Sequence, residues 1–391
     1  MSKSDRNLKR RSFLKWGAAG LAGLCVRPGA AATGQTPTPP AAGKFLQRTL
    51  GKTGLKVPIV SLGVMNSDNP NLVRTALDRG IVLLDTANGY QRGRNEEMIG
   101  EVLRGRPRDS YVIATKVPVE PTTDGYIKNV DISLRRLGLD HVDILNVHAC
   151  SSRADVAFEP VLQALAKLKK DGKARFVGVS THSHEPEVIR AAVESRVHDI
   201  VLTAYNFRQD HRDEVREAIA AAAEAGIGVI AMKTLAGRFW DKMRTQPINT
   251  RAALKWVLND PNVATAIPGM TTFDQLDADL SVMGDLALTG QEKKDLRLNP
   301  DSAGLYCQGC GECLAACRER LPLPSLMRGF MYAYGYQNLG AAHDLVRSLE
   351  LPADPCGSCS ACAVRCVKGI DVADRVKDII RLKALPPDLF A

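Results

Sequence analysis

The stretch IVLLDTANGY, residues 81–90, decides how this chain is read. An apolar, branched run ends in an acid, Asp85, and a tyrosine, Tyr90, follows five residues later. That is a buried strand with polar chemistry at its C-terminal end. The same design recurs on both sides: PIVSLG (58–63), YVIATK (111–116), VDILNVH (142–148), FVGVS (176–180), DIVLTAYN (199–206), GVIAMKT (228–234) and TAIPG (265–269). Helix-like segments such as LVRTALDRG, EEMIGEVLRG and VLQALAKLKKDG lie between them, several ending in the glycine that stops a helix. Eight strand–helix units over roughly 250 residues predict an α/β chain whose residues 45–300 form a (β/α)8 TIM barrel. A doubly wound open sheet is the alternative, but no G-x-G-x-x-G follows the first strand. Ahead of the barrel, FLQRTLGKTGLKV turns at GKTG and predicts a short hairpin plugging the barrel bottom.

In such barrels chemistry sits at the C-terminal strand ends. Strand two ends in Asp85, with Tyr90 just beyond, strand three in Lys116 and strand four in His148. Each alone is bland, since a strand-end acid caps helices and a lysine is usually solvated. Together on adjacent strands they can converge. A Lys ammonium beside a phenol favours phenolate, so the expectation is a Tyr90 acidified from its usual value near 10. Such a phenol is a general acid for a carbonyl that receives hydride.

At these residues the sequence resembles the aldo-keto reductase family. DTANGY, EEMIG, ATK, SLRRLGLDHVDILNVH and GVSTH carry the resemblance, which covers about residues 49–279. It implies NAD(P)H-dependent reduction of aldehydes and ketones. Tyr90 is then the proton donor, Lys116 and Asp85 its tuners, and His148 the residue that orients the carbonyl. Cofactor contacts agree less well. Ser180-Thr181 stands where the family often has Ser-Asn, and Leu202 replaces a glutamine, with Asn206 nearby. Met232 replaces a tyrosine that stacks on nicotinamide. Gly269, Met270 and Gln275 replace the Lys, Ser and Arg that read NADP. Arg grips a 2′-phosphate bidentately and Gln does not, so strong NADP selectivity is not expected and NAD, or weaker cofactor binding, becomes an alternative. Thr271 and Gln275 either contact the cofactor or cap the next helix. Cys150 reads as a small apolar filler, and His182 and His184 as loop histidines.

Near the C-terminus, CQGCGECLAAC (307–317) and CGSCSACAVRC (356–366) repeat C-x2-C-x2-C-x3-C. Eight of the ten cysteines sit there, unlike the scattered cysteines of a disulfide framework. Two such runs resemble the bacterial two-cluster ferredoxins and imply two [4Fe–4S] clusters. The resemblance implies crossed ligation: Cys307, Cys310, Cys313 and Cys366 on one cluster, Cys356, Cys359, Cys362 and Cys317 on the other. Uncrossed ligation and zinc are the alternatives. Helix-like segments between and after the runs suggest a small, mainly α-helical, ferredoxin-like domain over 301–391.

The N-terminus conflicts with such a cargo. Arg10-Arg11-Ser12-Phe13-Leu14-Lys15 resembles a twin-arginine (Tat) export signal. An uncharged stretch of 11 residues, too short to span a bilayer, and Ala30-Ala31-Ala32 complete a signal peptide over 1–32. Residues 33–44 read as a linker. That leader holds +6 of the formal +9 charge, so the rest is ordinary and no nucleic-acid surface is indicated. Tat export carries folded proteins, which reconciles metal ligands loaded inside with a periplasmic destination. The expectation is an exported oxidoreductase that works on a small carbonyl or alcohol with NAD(P)(H) and two clusters. Its partners would be the Tat translocase and a redox protein, with no stable membrane span in the mature chain. The alternative is an electron-transfer or binding subunit whose barrel is a scaffold. Loop residues Phe239 and Trp240 are candidates to wall the substrate pocket.

Overall fold

A computed structural model describes residues 45–296, 306–357, 359, 361–386 and 389. The leader and linker fall outside them, as does the expected boundary at 300/301. The chain starts with the expected hairpin: β1 (Gln47–Thr49) pairs antiparallel with β2 (Lys56–Pro58). Leu50, in its turn, packs with Leu83, Ile200 and Ile230 inside the barrel, and Lys52 N donates to Gly226 O at 2.8 Å. Gly228 allows this approach, since a Cβ there would stand 2.6 Å from Leu50 Cγ. The hairpin therefore closes the end where the strands begin.

Eight strands follow: β3 (Leu62–Gly63), β4 (Leu83–Asp85), β5 (Val112–Pro118), β6 (Val142–His148), β7 (Ala174–Thr181), β8 (Ile200–Ala204), β9 (Gly228–Met232) and β10 (Thr265–Ala266). Each pairs parallel with the next, and parallel bridges Val60–Ala266 and Gly63–Gly269 close the ring. The ring is the expected barrel and not an open sheet. Its main crossover helices are α1 (Pro70–Asp78), α2 (Arg94–Leu103), α3 (Thr123–Leu137), then, after the short α4 (Arg153–Val156), α5 (Glu159–Lys170), α6 (Glu185–Ser195), α7 (Arg212–Glu224), α8 (Thr250–Leu258) and α9 (Phe273–Ser281). Side-chain caps from Asn69, Thr122, Asn249 and Thr272 start four of them, and Gly138, at φ +66°, ends α3.

The alternation of strand side chains aims the site. Leu83, Ala114, Ile144 and Ile230 fill the barrel interior, while Leu84, Leu145 and Val229 face the helices. Counting on by twos puts Asp85, Lys116 and Met232 in the same inward register one step nearer the mouth, and His148 two steps beyond Ile144. Hydrophobic spacing thus determines where the polar chemistry points.

After α10 (Gly290–Asp295) the C-terminal part builds its own core on α11 (Leu323–Phe330), α12 (Leu339–Ser348) and α13 (Val372–Ile380). Leu326, Phe330, Val346, Val376 and Ile379 form that core, and six of the eight run cysteines pack against it. A π-turn over Met331–Gly335 continues α11. This domain seats on the barrel mouth. Gln308 donates to Arg208 O at 2.8 Å and accepts from Asp210 N at 2.7 Å. Asn338 donates to Asn66 Oδ1 at 2.6 Å, and Arg92 pairs with Asp344 at 3.0 Å. Gly309 and Gly311, both at φ near +77°, bring the first cysteine run against Ser183 and His184.

Candidate active site under a C-terminal lid

The four strand-end residues meet at the barrel mouth. Lys116 Nζ donates to Asp85 Oδ2 and to Thr86 O, each at 2.6 Å, and lies 3.4 Å from Tyr90 Oη. The ion pair is sealed, with its two side chains 1% and 3% exposed. Tyr90 meets His148 edge to face, ring centres 5.8 Å apart. Tyr90 opens a 3-10 turn in which Gln91 and Arg92 take φ +50° and +55°, values costly for non-glycine residues. Buried polar groups hold that loop. Thr86 donates to Asn95 Oδ1 at 2.7 Å, and Asn95 donates to Val64 O at 2.9 Å. Glu96 accepts from Thr115 at 2.7 Å.

Electrostatics correct one expectation. Burial pushes the Tyr90 phenol well above 10, and the charge of Asp85 and the neighbouring Tyr332 and Tyr336 push the same way. The positive charge of Lys116 is committed to Asp85 and a carbonyl, so it does not acidify the phenol. Burial raises Asp85 and lowers Lys116, while each pulls the other back. His148 is lowered to about 3, first by burial and then by Lys116, Arg328 and Lys233, so it is a neutral imidazole at pH 7. The site therefore holds a protonated phenol, a neutral histidine and a locked ion pair. That set can donate a proton to an oxygen gaining negative charge.

The expected cofactor contacts are mostly engaged in local structure. Ser180 Oγ accepts from Ala149 N at 2.9 Å, and Thr181 donates to Ser183 O at 2.8 Å. Asn206 Oδ1 accepts from Arg208 N at 3.0 Å. Gln275 accepts from Thr271 N at 2.8 Å and from its hydroxyl at 3.2 Å, which favours the capping role for both. Met232 alone of these faces Asp85 and Tyr90 across a cavity of about 110 Å³ that Thr234, Gly269 and Tyr336 also line. A neighbouring cavity of about 90 Å³ lies between His182, Lys233, Tyr306, Cys307 and Arg328. Ligand pockets run to roughly 300–1,000 Å³. A nicotinamide dinucleotide does not fit the mouth while Tyr332 and Tyr336 close it.

Sequence reasoning passed over those tyrosines, Lys233, Arg328 and His182. His182 is not a bland loop residue: Arg328 Nη1 lies 2.6 Å from its Nδ1 and 2.7 Å from its Nε2. Phe239 and Trp240 do not wall either cavity. Trp240 packs on Phe207 and under Arg208, 4.7 Å from the ring centre, and Arg244 lies 4.5 Å from the Phe239 ring. Cys150 is a buried filler, its thiol pushed up to about 12 by burial.

The eight cysteines divide between two further hollows. Cys307, Cys310, Cys313 and Cys366 line one of about 530 Å³, beside His184. Cys317, Cys356, Cys359 and Cys362 line another of about 280 Å³. The fourth cysteine of each run thus joins the other run's three. Cys307 and Cys366 sulfurs each accept a backbone N–H at 3.4 Å, from Gly309 and Lys368. Among the described residues no three His, Cys, Asp or Glu side chains converge closely enough to hold one metal ion.

The closed eight-stranded parallel barrel thus carries an Asp–Lys pair, a Tyr and a His at its mouth. Residues 61–252 match the model of the Aldo/keto reductase family, and the chain carries an aldo/keto reductase family domain. It is an oxidoreductase of that type. L-galactose dehydrogenase of Arabidopsis thaliana is 27% identical over 300 residues, 65% of this chain and 92% of that protein. The aldo-keto reductase AKR11C1 of Bacillus halodurans superposes with a TM-score of 0.56 at 24% identity, over 68% of this chain and 99% of that one. An aldo-keto reductase from Klebsiella pneumoniae in complex with NADPH gives 0.55 at 23% identity, over 66% and 96%. At these identities the two structures speak for the fold.

Proposed function

We propose that the protein interconverts a carbonyl and an alcohol at Tyr90, and that its C-terminal domain is a two-cluster electron port and lid for the same site. The observation that carries this is a shared wall. Tyr336 of the C-terminal domain lines the cavity of Asp85 and Tyr90, and with Lys233 and Cys307 lines the next one.

In the reducing direction Tyr90 Oη, 3.4 Å from Lys116 Nζ, donates its proton to the substrate oxygen. Asp85 and Thr86 O hold that ammonium in place. The neutral His148 orients the carbonyl from the other side. Burial of the mouth excludes water from the exchange. The two-electron partner we assign is NAD(P)H, the family's cofactor and in part the ligand named for the Klebsiella structure. Its admission requires residues 331–338 to draw back. Cys307, Cys310, Cys313 and Cys366 would hold one [4Fe–4S] cluster, and Cys356, Cys359, Cys362 and Cys317 the other. When bound, such clusters supply one-electron transfer to a partner protein. The RRSFLK leader supports Tat export to the periplasm after folding.

Anaerobic isolation of the native protein, with iron, sulfide and co-purifying nucleotide measured together, tests the cofactor assignment. Tyr90→Phe tests the chemistry and should lower turnover of a carbonyl substrate by about 10²- to 10⁴-fold. An unchanged rate would return the barrel to a scaffold. The closed mouth favours that second reading, in which the chain is an electron-transfer subunit. Failure to bind any dinucleotide would establish it.

A further inference from the structure

Two cations face the mouth without a carboxylate partner among the described residues. Lys233, just after β9, points between the rings of Tyr332 and Tyr336, 5.1 and 4.8 Å from their centres. Arg328, on α11, reaches in from the C-terminal domain. It contacts the His182 ring and donates to Ser325 Oγ at 3.1 Å, and its Nε is buried without an acceptor. Among the described residues neither cation has a carboxylate partner. Asp85 is committed to Lys116. Glu185, in the wall of the same cavity, turns to His211 at 3.0 Å and Gln209 at 3.1 Å. Burial holds the phenols of Tyr332 and Tyr336 protonated and His182 neutral, so none of them balances the charge; Cys307, in the same cavity wall, faces Arg328 and would be anionic as a cluster ligand, which leaves Lys233 as the cation without an anionic neighbour.

Unpaired charge in a half-buried cavity is costly and persists where a ligand supplies the missing sign. The loop that presents Lys233 stores further strain. Lys233, Ala236 and Arg238 take φ of +59°, +48° and +66°, three non-glycine residues in the left-handed region within six positions. We propose that Lys233 and Arg328 form an anion subsite beside the catalytic residues. It takes the carboxylate or phosphate of a small substrate whose carbonyl end reaches Tyr90 and His148. This rests on the oxidoreductase reading. A cavity of about 90 Å³ suits a small anion. Because Lys233 comes from the barrel and Arg328 from the lid, the anion also ties the two together.

The test uses the full chain, prepared anaerobically, in equilibrium calorimetry with malonate, inorganic phosphate, neutral malonamide and NADPH as separate probes. Malonate or phosphate should bind saturably and malonamide should not. Lys233→Met should weaken the anion by about 10- to 100-fold, the range of one charge-assisted hydrogen bond. Lys233→Arg should restore most of it, and melting temperature and iron content report that both variants fold. Absence of saturable anion binding, or equal binding by wild type and Lys233→Met, overturns the proposal. If NADPH binding alone depends on Lys233, and malonate does not compete with it, the anion is the cofactor's phosphate and the substrate assignment is overturned. Tyr90→Phe should leave malonate affinity unchanged. Lys233-dependent malonate binding with no turnover of any carbonyl compound would sink the catalytic reading and leave the subsite standing.

Discussion

Asp85→Asn in a double-mutant cycle with Lys116→Met tests whether the ion pair under Tyr90 is as sealed and mutually dependent as the geometry shows. The pair is 2.6 Å long, with side chains 1% and 3% exposed, so neither charge can turn to water. Burial pushes each group towards neutrality and only the partner, with Thr86 O, opposes it. Removing one member of such a pair costs about 3–5 kcal/mol, because the other is left charged and dry. Asn keeps an oxygen near the ammonium, so Asp85→Asn should fall near the lower end. At about 2–4 °C per kcal/mol for large domains, the expected loss is roughly 6–12 °C in melting temperature. Lys116→Met should cost a similar amount. The double variant leaves no stranded charge and should be no less stable than the worse single one, a coupling of about 2 kcal/mol or more. Thermal and urea melts of the four proteins under anaerobic conditions measure it. Additivity within about 0.5 kcal/mol would refute the reasoning, since independent sites add and members of one buried pair do not.

Tyr336→Ala should enlarge the mouth beside Met232 and tighten dinucleotide binding, read by fluorescence titration of NADH; unchanged affinity would mean the tyrosine is not what closes the site. Cys366→Ser should remove the cluster of the first run, and Cys317→Ser that of the second, each taking about half the iron and one electron-paramagnetic signal. Loss of the opposite cluster in each case would mean uncrossed ligation. Malonate affinity should be flat below pH 7 and weaken by about tenfold per pH unit above it. The sign follows from Lys233, whose ammonium is lowered to about 7 by burial and then by Arg328 and Lys116, so the free protein loses the charge on crossing that pH. Affinity that instead strengthens with pH would exclude Lys233 as the anion's partner.

Much of the barrel was legible because its information is local. Each apolar run is a strand, and each strand's last inward position follows from counting by twos from Leu83, Ala114 and Ile144. The convergence of Asp85, Lys116 and His148 follows from the same count, and Tyr90 joins them from the 3-10 turn after β4. The lid was not legible. MYAYGYQNLG reads as a helix with aromatic residues, and nothing in its periodicity says that Tyr332 and Tyr336 cross to another domain's cavity. The sign of the Tyr90 shift was missed for a related reason. Sequence pairs a lysine with a tyrosine, but the shift depends on how much water the lid removes and on which acceptor takes the ammonium first.

The lid also changes what the export leader explains. On the proposed export route, cluster loading in the cytoplasm would account for transport in the folded state, and a domain that contributes Tyr336 and Arg328 to the barrel's cavities would add a second reason. The composite mouth exists only once the two parts have docked. Docking relies on Asn338 with Asn66, Arg92 with Asp344 and Gln308 with the 208–210 loop, contacts more than 90 residues apart in sequence. A cluster bound in either hollow would hold both runs of the C-terminal domain in register, because each hollow takes cysteines from both. Loss of one cluster should therefore loosen the lid as well as the electron port. In that case Cys366→Ser would admit NADH more readily than wild type, while Tyr90→Phe would not. Equal dinucleotide affinity in wild type and Cys366→Ser would separate the lid from the clusters and leave electron transfer as their whole purpose.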